Sequence, residues 1–158
     1  MIYKIHHYRA GSGIDWTCIS EVGNEIDGHV LTWDLYKETE NKYIALLSDM
    51  LDAIGVSQLV VRAAAYREDE HDEFPHDDFD SFDTSKLMRA GGILDKDRFL
   101  YLARWDLRNV GYIYVEFDNG CVAFGDDYYM YIESDKDLSG LINQSGLYYC
   151  NIDTNPFS

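Results

Sequence analysis

Apolar residues recur at the spacing of one helix face in a stretch that begins at Thr32 or Asp34 and runs to about Ile54. A helix has 3.6 residues per turn, so positions separated by three or four residues lie on the same side. The pattern therefore predicts a helix that buries this side, with Gly55 as its stop. The apolar positions are Tyr43, Leu47, Met50, Leu51 and Ile54.

Alternation of apolar and polar residues predicts strands on either side of this helix. Residues 2–9 and 14–21 flank the turn sequence Gly11-Ser12-Gly13, which predicts an N-terminal hairpin. Residues 58–66 predict a strand with a short apolar run, fit for a central position. His6, His7 and His29 would come near one another if strands pair here, although isolated histidines are the simpler interpretation.

The clearest strand signal lies in the C-terminal half. Residues 112–117, 121–124 and 128–133 predict a three-stranded antiparallel meander. Asn119-Gly120 suits the first turn because both residues tolerate positive φ angles. Gly125-Asp126-Asp127 supplies the second turn.

The remaining segments predict short elements. Asp95 can cap a helix to about Asn109, although a strand through residues 99–103 fits the same stretch. Thr84 can cap a short helix ending at Gly91-Gly92, and residues 134–146 are a loop or short helix. Residues 147–152 can add an edge strand. The fold class is therefore α+β: a single domain over residues 1–158, with an antiparallel sheet (hairpin plus three-stranded meander) packed against two or three helices.

Charge is concentrated in one segment. The chain has 158 residues and a net charge of −16. Residues 67–83, the acidic loop, read REDEHDEFPHDDFDSFD and contain nine carboxylates against one arginine. This segment alone carries about half of the excess charge, and charges this dense keep a chain extended and solvated.

Three phenylalanines interrupt the acidic loop: Phe74, Phe79 and Phe82. A purely solvating segment has little use for aromatic rings. The rings therefore either attach the loop to the domain or serve as apolar contacts within an acidic binding surface.

The acidity indicates what kind of partner to expect. A pI near 4.4 disfavours direct binding to nucleic acid or to an anionic membrane and favours a basic protein, although acidity also serves solubility alone. Thirteen tyrosines suit either strand packing or a binding surface, and most of them fall in the predicted strands.

Catalytic and metal-binding patterns are weak. The chain has no G-x-S-x-G, H-E-x-x-H or Walker motif, so no enzyme activity and no cofactor are expected. His71, Asp72, His76 and Asp77 have side chains that can chelate a divalent ion, but their spacing fits no EF-hand loop, and a dedicated metal site is not expected.

The cysteines and the N-terminal residues indicate the cellular compartment in which the protein is expected. Cys18, Cys121 and Cys150 form no C-x-x-C pair, which favours buried free thiols in a reducing compartment. The first residues lack the apolar core of a signal peptide, and no apolar run reaches membrane-spanning length. A cytoplasmic protein is expected.

The sequence thus predicts an acidic contact surface for a basic protein, because clustered carboxylates raise the association rate with a basic cleft. One compact cluster suits a plug for the cleft of a nuclease, whereas a DNA mimic needs charges spread along an elongated surface. The predicted contact residues are Glu68, Asp69, Glu70, Asp72, Glu73, Phe74, Asp77, Asp78, Phe79 and Asp80 in the acidic loop, and Asp126, Asp127, Tyr128 and Tyr129 in the second meander turn.

In overall character the chain resembles the immunity proteins of bacterial polymorphic-toxin and contact-dependent growth inhibition systems. The features that carry the resemblance are the acidic loop and the tyrosine-rich run YIYVEFDNGCVAFGDDYYMYIES at residues 112–134. The resemblance implies a protein that binds and neutralises a cognate toxin domain, frequently a nuclease. It implies no particular fold and no particular binding residues.

Overall fold

The structure is a computed structural model that describes residues 1–8, 15–66 and 89–156. The whole acidic loop, Gly11-Ser12-Gly13 and Thr84 lie outside the described residues. Ten of the predicted contact residues, from Glu68 to Asp80, therefore remain sequence predictions.

The described chain is built on a seven-stranded sheet in the order β5-β4-β6-β7-β8-β1-β9, with every neighbouring pair antiparallel. Its strands are β1 Ile2–His6, β4 Leu59–Tyr66, β5 Ile93–Leu94, β6 Gly111–Phe117, β7 Gly120–Gly125, β8 Tyr129–Glu133 and β9 Tyr148–Ile152. A separate two-stranded hairpin consists of β2 Glu25–Ile26 and β3 His29–Val30.

The predicted meander is confirmed as β6, β7 and β8. Asn119 has φ of 66° in the first turn, the left-handed conformation that Asn adopts at little cost. Gly120 follows it where the chains approach closely: a Cβ there would lie 2.1 Å from the carbonyl oxygen of Glu133. Position 120 therefore requires glycine for space, because any side chain there would meet the neighbouring strand.

The predicted N-terminal hairpin is wrong. β1 forms, but it pairs with β8 and β9 instead of residues 14–21. Residues 15–18 form no strand, and Ile19–Glu21 form a single 3₁₀ turn. The apolar residues Trp16 and Ile19 are buried in the core from these irregular positions, so apolar residues in this stretch do not require a strand.

The main helix, α1 Trp33–Ile54, matches its prediction closely. The Thr32 hydroxyl oxygen accepts a hydrogen bond from the Leu35 amide at 3.2 Å, and Gly55 ends the helix with φ of 86°. All the apolar-stripe residues are buried except Ile54, which is half-buried.

The other helices settle the open alternatives. α2 Lys96–Leu107 is a helix and not a strand, and Asp95 caps it by accepting from the Arg98 amide at 2.8 Å. α3 Ser139–Ser145 lies within the segment expected to be loop or short helix, and β9 is the predicted edge strand. Residues 89–92 contain no helix.

One face of the sheet packs against the helices. Tyr3, Ile5, Val115, Val122 and Ile132 alternate inward and join the buried faces of the helices in one apolar cluster. The described residues thus form the α+β architecture expected, with three helices rather than two. None of the described helices combines the length and apolarity needed to cross a membrane.

Candidate functional site

The β7–β8 turn contains the four predicted contact residues that the structure describes. Asp126 and Asp127 are exposed, and Tyr129 is half-buried at the start of β8. Tyr128 is buried, with 3% of its surface exposed. The prediction of Tyr128 as a contact residue therefore needs correction, because its ring is not available to a partner in this structure.

Tyr128 instead holds the turn in place. Its ring lies edge-on to Trp16 at 4.8 Å and to Tyr43 at 5.2 Å between centroids. Its carbonyl oxygen accepts a hydrogen bond from the Tyr43 hydroxyl at 2.9 Å. Its φ of 62° is unfavourable for a bulky residue, so this packing must offset the cost. The adjacent Asp126, Asp127 and Tyr129 are consequently presented from a well-supported turn.

Tyrosines line the sheet face that points away from the helices. Tyr112 and Tyr114 lie on β6, and Tyr129 and Tyr131 lie on β8. The strand between them contributes Ala123, which pairs with Tyr131 and is 1% exposed. Gly125, which pairs with Tyr129, adds no side chain beside Tyr112, Tyr129 and Tyr131, and these residues line a shallow depression. We call these four tyrosines the tyrosine face.

Lys4 and three carboxylates complete the depression. The Lys4 ammonium lies 3.6 Å from the centroid of the Tyr129 ring, a cation–π contact, and 5.9 Å from that of Tyr131. The resulting cavity, about 440 Å³, is also lined by Asp106, Asp126 and Asp127. Asp106 is held by the Ile113 amide, which donates to its Oδ2 at 2.7 Å. The site thus combines aromatic rings with an acidic margin.

Two phenols of this face, Tyr112 and Tyr114, and the adjacent phenol of Tyr8 have raised pKa values. Burial is the first cause that raises the pKa of Tyr8, whose hydroxyl contacts that of Tyr129. Burial, with the neighbouring Cys121 and Glu116, raises the pKa of Tyr114 to about 12. Burial and Asp106 raise the pKa of Tyr112. These three phenols therefore stay protonated at neutral pH, and that of Tyr114 donates to Oε1 of Glu116 at 3.3 Å.

The cysteines are reduced but not uniformly buried. All three are free, with Cys121 buried, Cys18 half-buried and Cys150 exposed, which corrects the expectation that all are buried. Burial raises the pKa of the Cys121 thiol, and Asn155 donates to its sulfur at 3.2 Å. A thiol with a raised pKa is a poor nucleophile at neutral pH.

Metal-ligating side chains do not cluster in the described part of the chain. Within the described ranges, no group of three or more His, Cys, Asp or Glu side chains is placed to hold a metal ion. His71, His76 and their acidic neighbours lie outside those ranges.

Sequence reasoning identified the acidic turn but not the tyrosine face. The signal was present, because Tyr112 and Tyr114, like Tyr129 and Tyr131, are spaced two residues apart and must share a sheet face. The sequence did not indicate the strand order, in which β7 with Ala123 lies between the tyrosine pair of β6 and the tyrosine pair of β8.

No protein-family model matches the chain, and no curated protein and no solved structure matches it significantly. Its function must therefore be inferred from its own surfaces and charge.

Proposed function

We propose that the protein is an immunity-type protein that binds a basic toxin domain, foremost a nuclease, and neutralises it. The observation that carries the proposal is the tyrosine face with its acidic margin of Asp106, Asp126 and Asp127. The acidic loop is, by its sequence, a second candidate contact segment.

Charge supports a basic partner. A chain with a net charge of −16 attracts a positively charged cleft over long distances, which raises the rate of encounter. A nuclease cleft is such a surface, since it must hold a phosphate backbone. Asp126 and Asp127 lie exposed at the margin, where charges act mainly on association.

The tyrosines support a protein partner rather than a mere electrostatic encounter. Tyrosine is enriched among residues that dominate binding energy, because it buries a large area at low entropic cost. The Lys4 ammonium packs on the Tyr129 ring, so this side chain is already ordered before a partner binds. Little side-chain entropy would then be lost on binding.

The test begins with the adjacent gene. Its product is expressed in a sensitive host, with and without this protein, and growth is followed. We expect growth arrest by the neighbouring product and rescue by co-expression, with a stable complex of the two purified proteins. A neighbouring product that binds DNA without harming growth, yet is captured by this protein, would support a DNA-mimic inhibitor instead.

The surface is tested with a charge-matched pair of variants. Asp126→Asn with Asp127→Asn removes two charges from the margin, whereas Asp49→Asn with Asp97→Asn removes two from α1 and α2. Only the first variant should bind more slowly. Equal slowing by both would show that total charge matters and that this margin is not the contact.

A further inference from the structure

A second cavity lies between α1, the β2–β3 hairpin and the segment at residues 15–16. Its volume is about 410 Å³, within the range of small-ligand sites. Leu31 and Leu147 form buried apolar parts of its wall. The polar groups that line it include His7, Asp15, Asp27 and His29.

His7 is the buried polar group of this cavity. Its side chain is 6% exposed, and its ring lies against that of Trp16 with 4.2 Å between centroids. The Trp16 backbone is close, yet neither ring nitrogen makes a hydrogen bond within the described structure. Buried polar groups are nearly always paired, so an unpaired imidazole at a cavity indicates a missing partner.

Asp15 faces the same gap. Its Oδ1 accepts a hydrogen bond from the Trp16 amide at 2.8 Å, which fixes the carboxylate. Its Oδ2 lies 3.7 Å from Nε2 of His7, too far for a hydrogen bond. An N–H donor placed beside both atoms would satisfy a ring nitrogen and a carboxylate oxygen together.

The charge state of His7 favours an incoming donor. Burial lowers the pKa of His7 to about 4, against the opposing attraction of Asp15. The ring is therefore neutral at pH 7 and has one nitrogen that accepts a hydrogen bond. A His7–Asp15 ion pair does not account for the arrangement at this pH.

The rest of the cavity favours a cation. Asp15 and Asp27 contribute two carboxylates to the lining. The one lysine of the lining, Lys42, is paired with Glu38 at 2.9 Å, so its charge is offset locally. A metal ion is a poorer fit, because no three ligand side chains converge among the described residues.

We propose that this cavity binds a guanidinium group. A guanidinium is planar, carries five N–H donors and is weakly hydrated, so it can donate to Asp15 and to His7 while its apolar stem contacts leucine side chains. A lysine-type ammonium lacks this planar fork. The group would belong either to a free alkylguanidine or to an arginine side chain of a protein.

The second source would connect the cavity to the tyrosine face. The rings of His7 and Tyr8 lie edge-on at 5.4 Å, and the Tyr8 hydroxyl contacts that of Tyr129. The cavity itself is lined by α1, on the other side of the sheet from the tyrosine face, so the arginine would come from a partner that reaches around the edge at Tyr8. The guanidinium site itself does not depend on the proposed function.

The test uses three probes of known chemistry and follows the ring resonances of His7 by NMR. n-Butylguanidinium is a free alkylguanidine, Nα-acetyl-arginine methylamide is an arginine within a peptide, and n-butylammonium is a point-charge control with the same alkyl chain as the first. We expect saturable shifts with a guanidine compound at millimolar affinity and weaker binding of n-butylammonium. Binding of n-butylguanidinium alone would indicate a small-molecule site; binding of the arginine amide as well would indicate a side-chain site.

Two variants make the test specific. Asp15→Asn keeps the Oδ1 acceptor for the Trp16 amide but loses the charge, and it should weaken guanidine binding at least about tenfold, as expected for a charge-assisted hydrogen bond. Asp49→Asn, exposed on α1, should change nothing. Absence of saturable shifts, equal binding of n-butylammonium, or equal affinity in Asp15→Asn and the unaltered protein would overturn the proposal.

Discussion

Glu40 and Arg108 form a bidentate ion pair inside the protein. The Arg108 Nε donates to Oε2 of Glu40 at 2.7 Å, and its Nη2 donates to Oε1 at 2.8 Å. Both side chains are at most 2% exposed. The pair joins the middle of α1 to the residue that follows α2, and Arg104 adds a third donor to the same carboxylate at 2.6 Å.

Breaking this pair should destabilise the fold strongly. Glu40→Gln would leave Arg108 buried without its counter-charge, a loss of about 3–5 kcal/mol for pairs of this kind. The free energy of unfolding is measured by urea denaturation. Glu38→Gln is the matched control, because its exposed pair with Lys42 contributes only about 0.3–0.5 kcal/mol. Similar losses of unfolding free energy in both variants would mean that the buried pair stabilises the fold no more than the exposed one.

Gly120 should tolerate no side chain. In Gly120→Ala the new methyl group would lie 2.1 Å from the Glu133 carbonyl oxygen, which forces β7 and β8 apart. We expect a loss of about 1–3 kcal/mol or more in the free energy of unfolding.

Gly140 provides the comparison within the same protein. It lies in α3 with no atom within 4 Å of an added Cβ, so Gly140→Ala should stabilise the fold by about 0.5–1 kcal/mol. Effects of the same sign in both variants would contradict the close approach at Gly120.

His7 should make stability depend on pH. Its pKa is lowered to about 4 in the folded state from an ordinary value of 6.5. Between these values the unfolded state binds the proton more readily, so stability is complete above about pH 6.5 and is lost as pH falls towards 4. The limiting loss is roughly 3 kcal/mol, since each pKa unit corresponds to about 1.36 kcal/mol.

Other groups titrate in the same range, so the measurement must isolate His7. The free energy of unfolding is compared at several pH values for the unaltered protein and for His7→Phe, and the pKa of His7 is read directly by NMR. The difference in the free energy of unfolding between the two proteins should change mainly between pH 6.5 and pH 4. A directly measured pKa near 6.5 would refute the expectation.

The acidic loop should act on association. Replacing Asp77, Asp78 and Asp80 by Asn should lower the on-rate for the partner at low salt and flatten its salt dependence. Phe79→Ala should instead raise the off-rate, with a loss of about 1–3 kcal/mol in binding free energy if the ring is a buried contact. Unchanged rates in both variants would place the contact elsewhere, with the Asp126–Asp127 margin as the next surface to alter.

Local signals predicted much of the fold and little of its long-range pairing. The caps at Asp95 and Gly55 and the turn at Asn119 depend on neighbouring residues, and each was correctly predicted. The partners of β1 were missed because they lie in the C-terminal half, and no local turn indicates them.

The candidate site shows the same division. Exposure of Asp126 and Asp127 follows from turn composition, whereas burial of Tyr128 depends on a pocket formed by Trp16 and Tyr43. Adjacent tyrosines in sequence look equivalent, yet Tyr128 belongs to the core and Tyr129 to the opposite face.

The position of β1 has a consequence for synthesis on the ribosome. β1 emerges first, but Tyr3 pairs with Ile132 on one side and Asn151 on the other, and both are translated late. Domains are synthesised at about 5–20 residues per second, so β1 must wait several seconds for its neighbours. During this wait β1 lacks partner strands in its own chain, and it can pair with the β8 edge of a neighbouring chain that is closer to completion. Polysomes, where nascent chains are crowded, are therefore where two copies would exchange β1 and form a domain-swapped dimer.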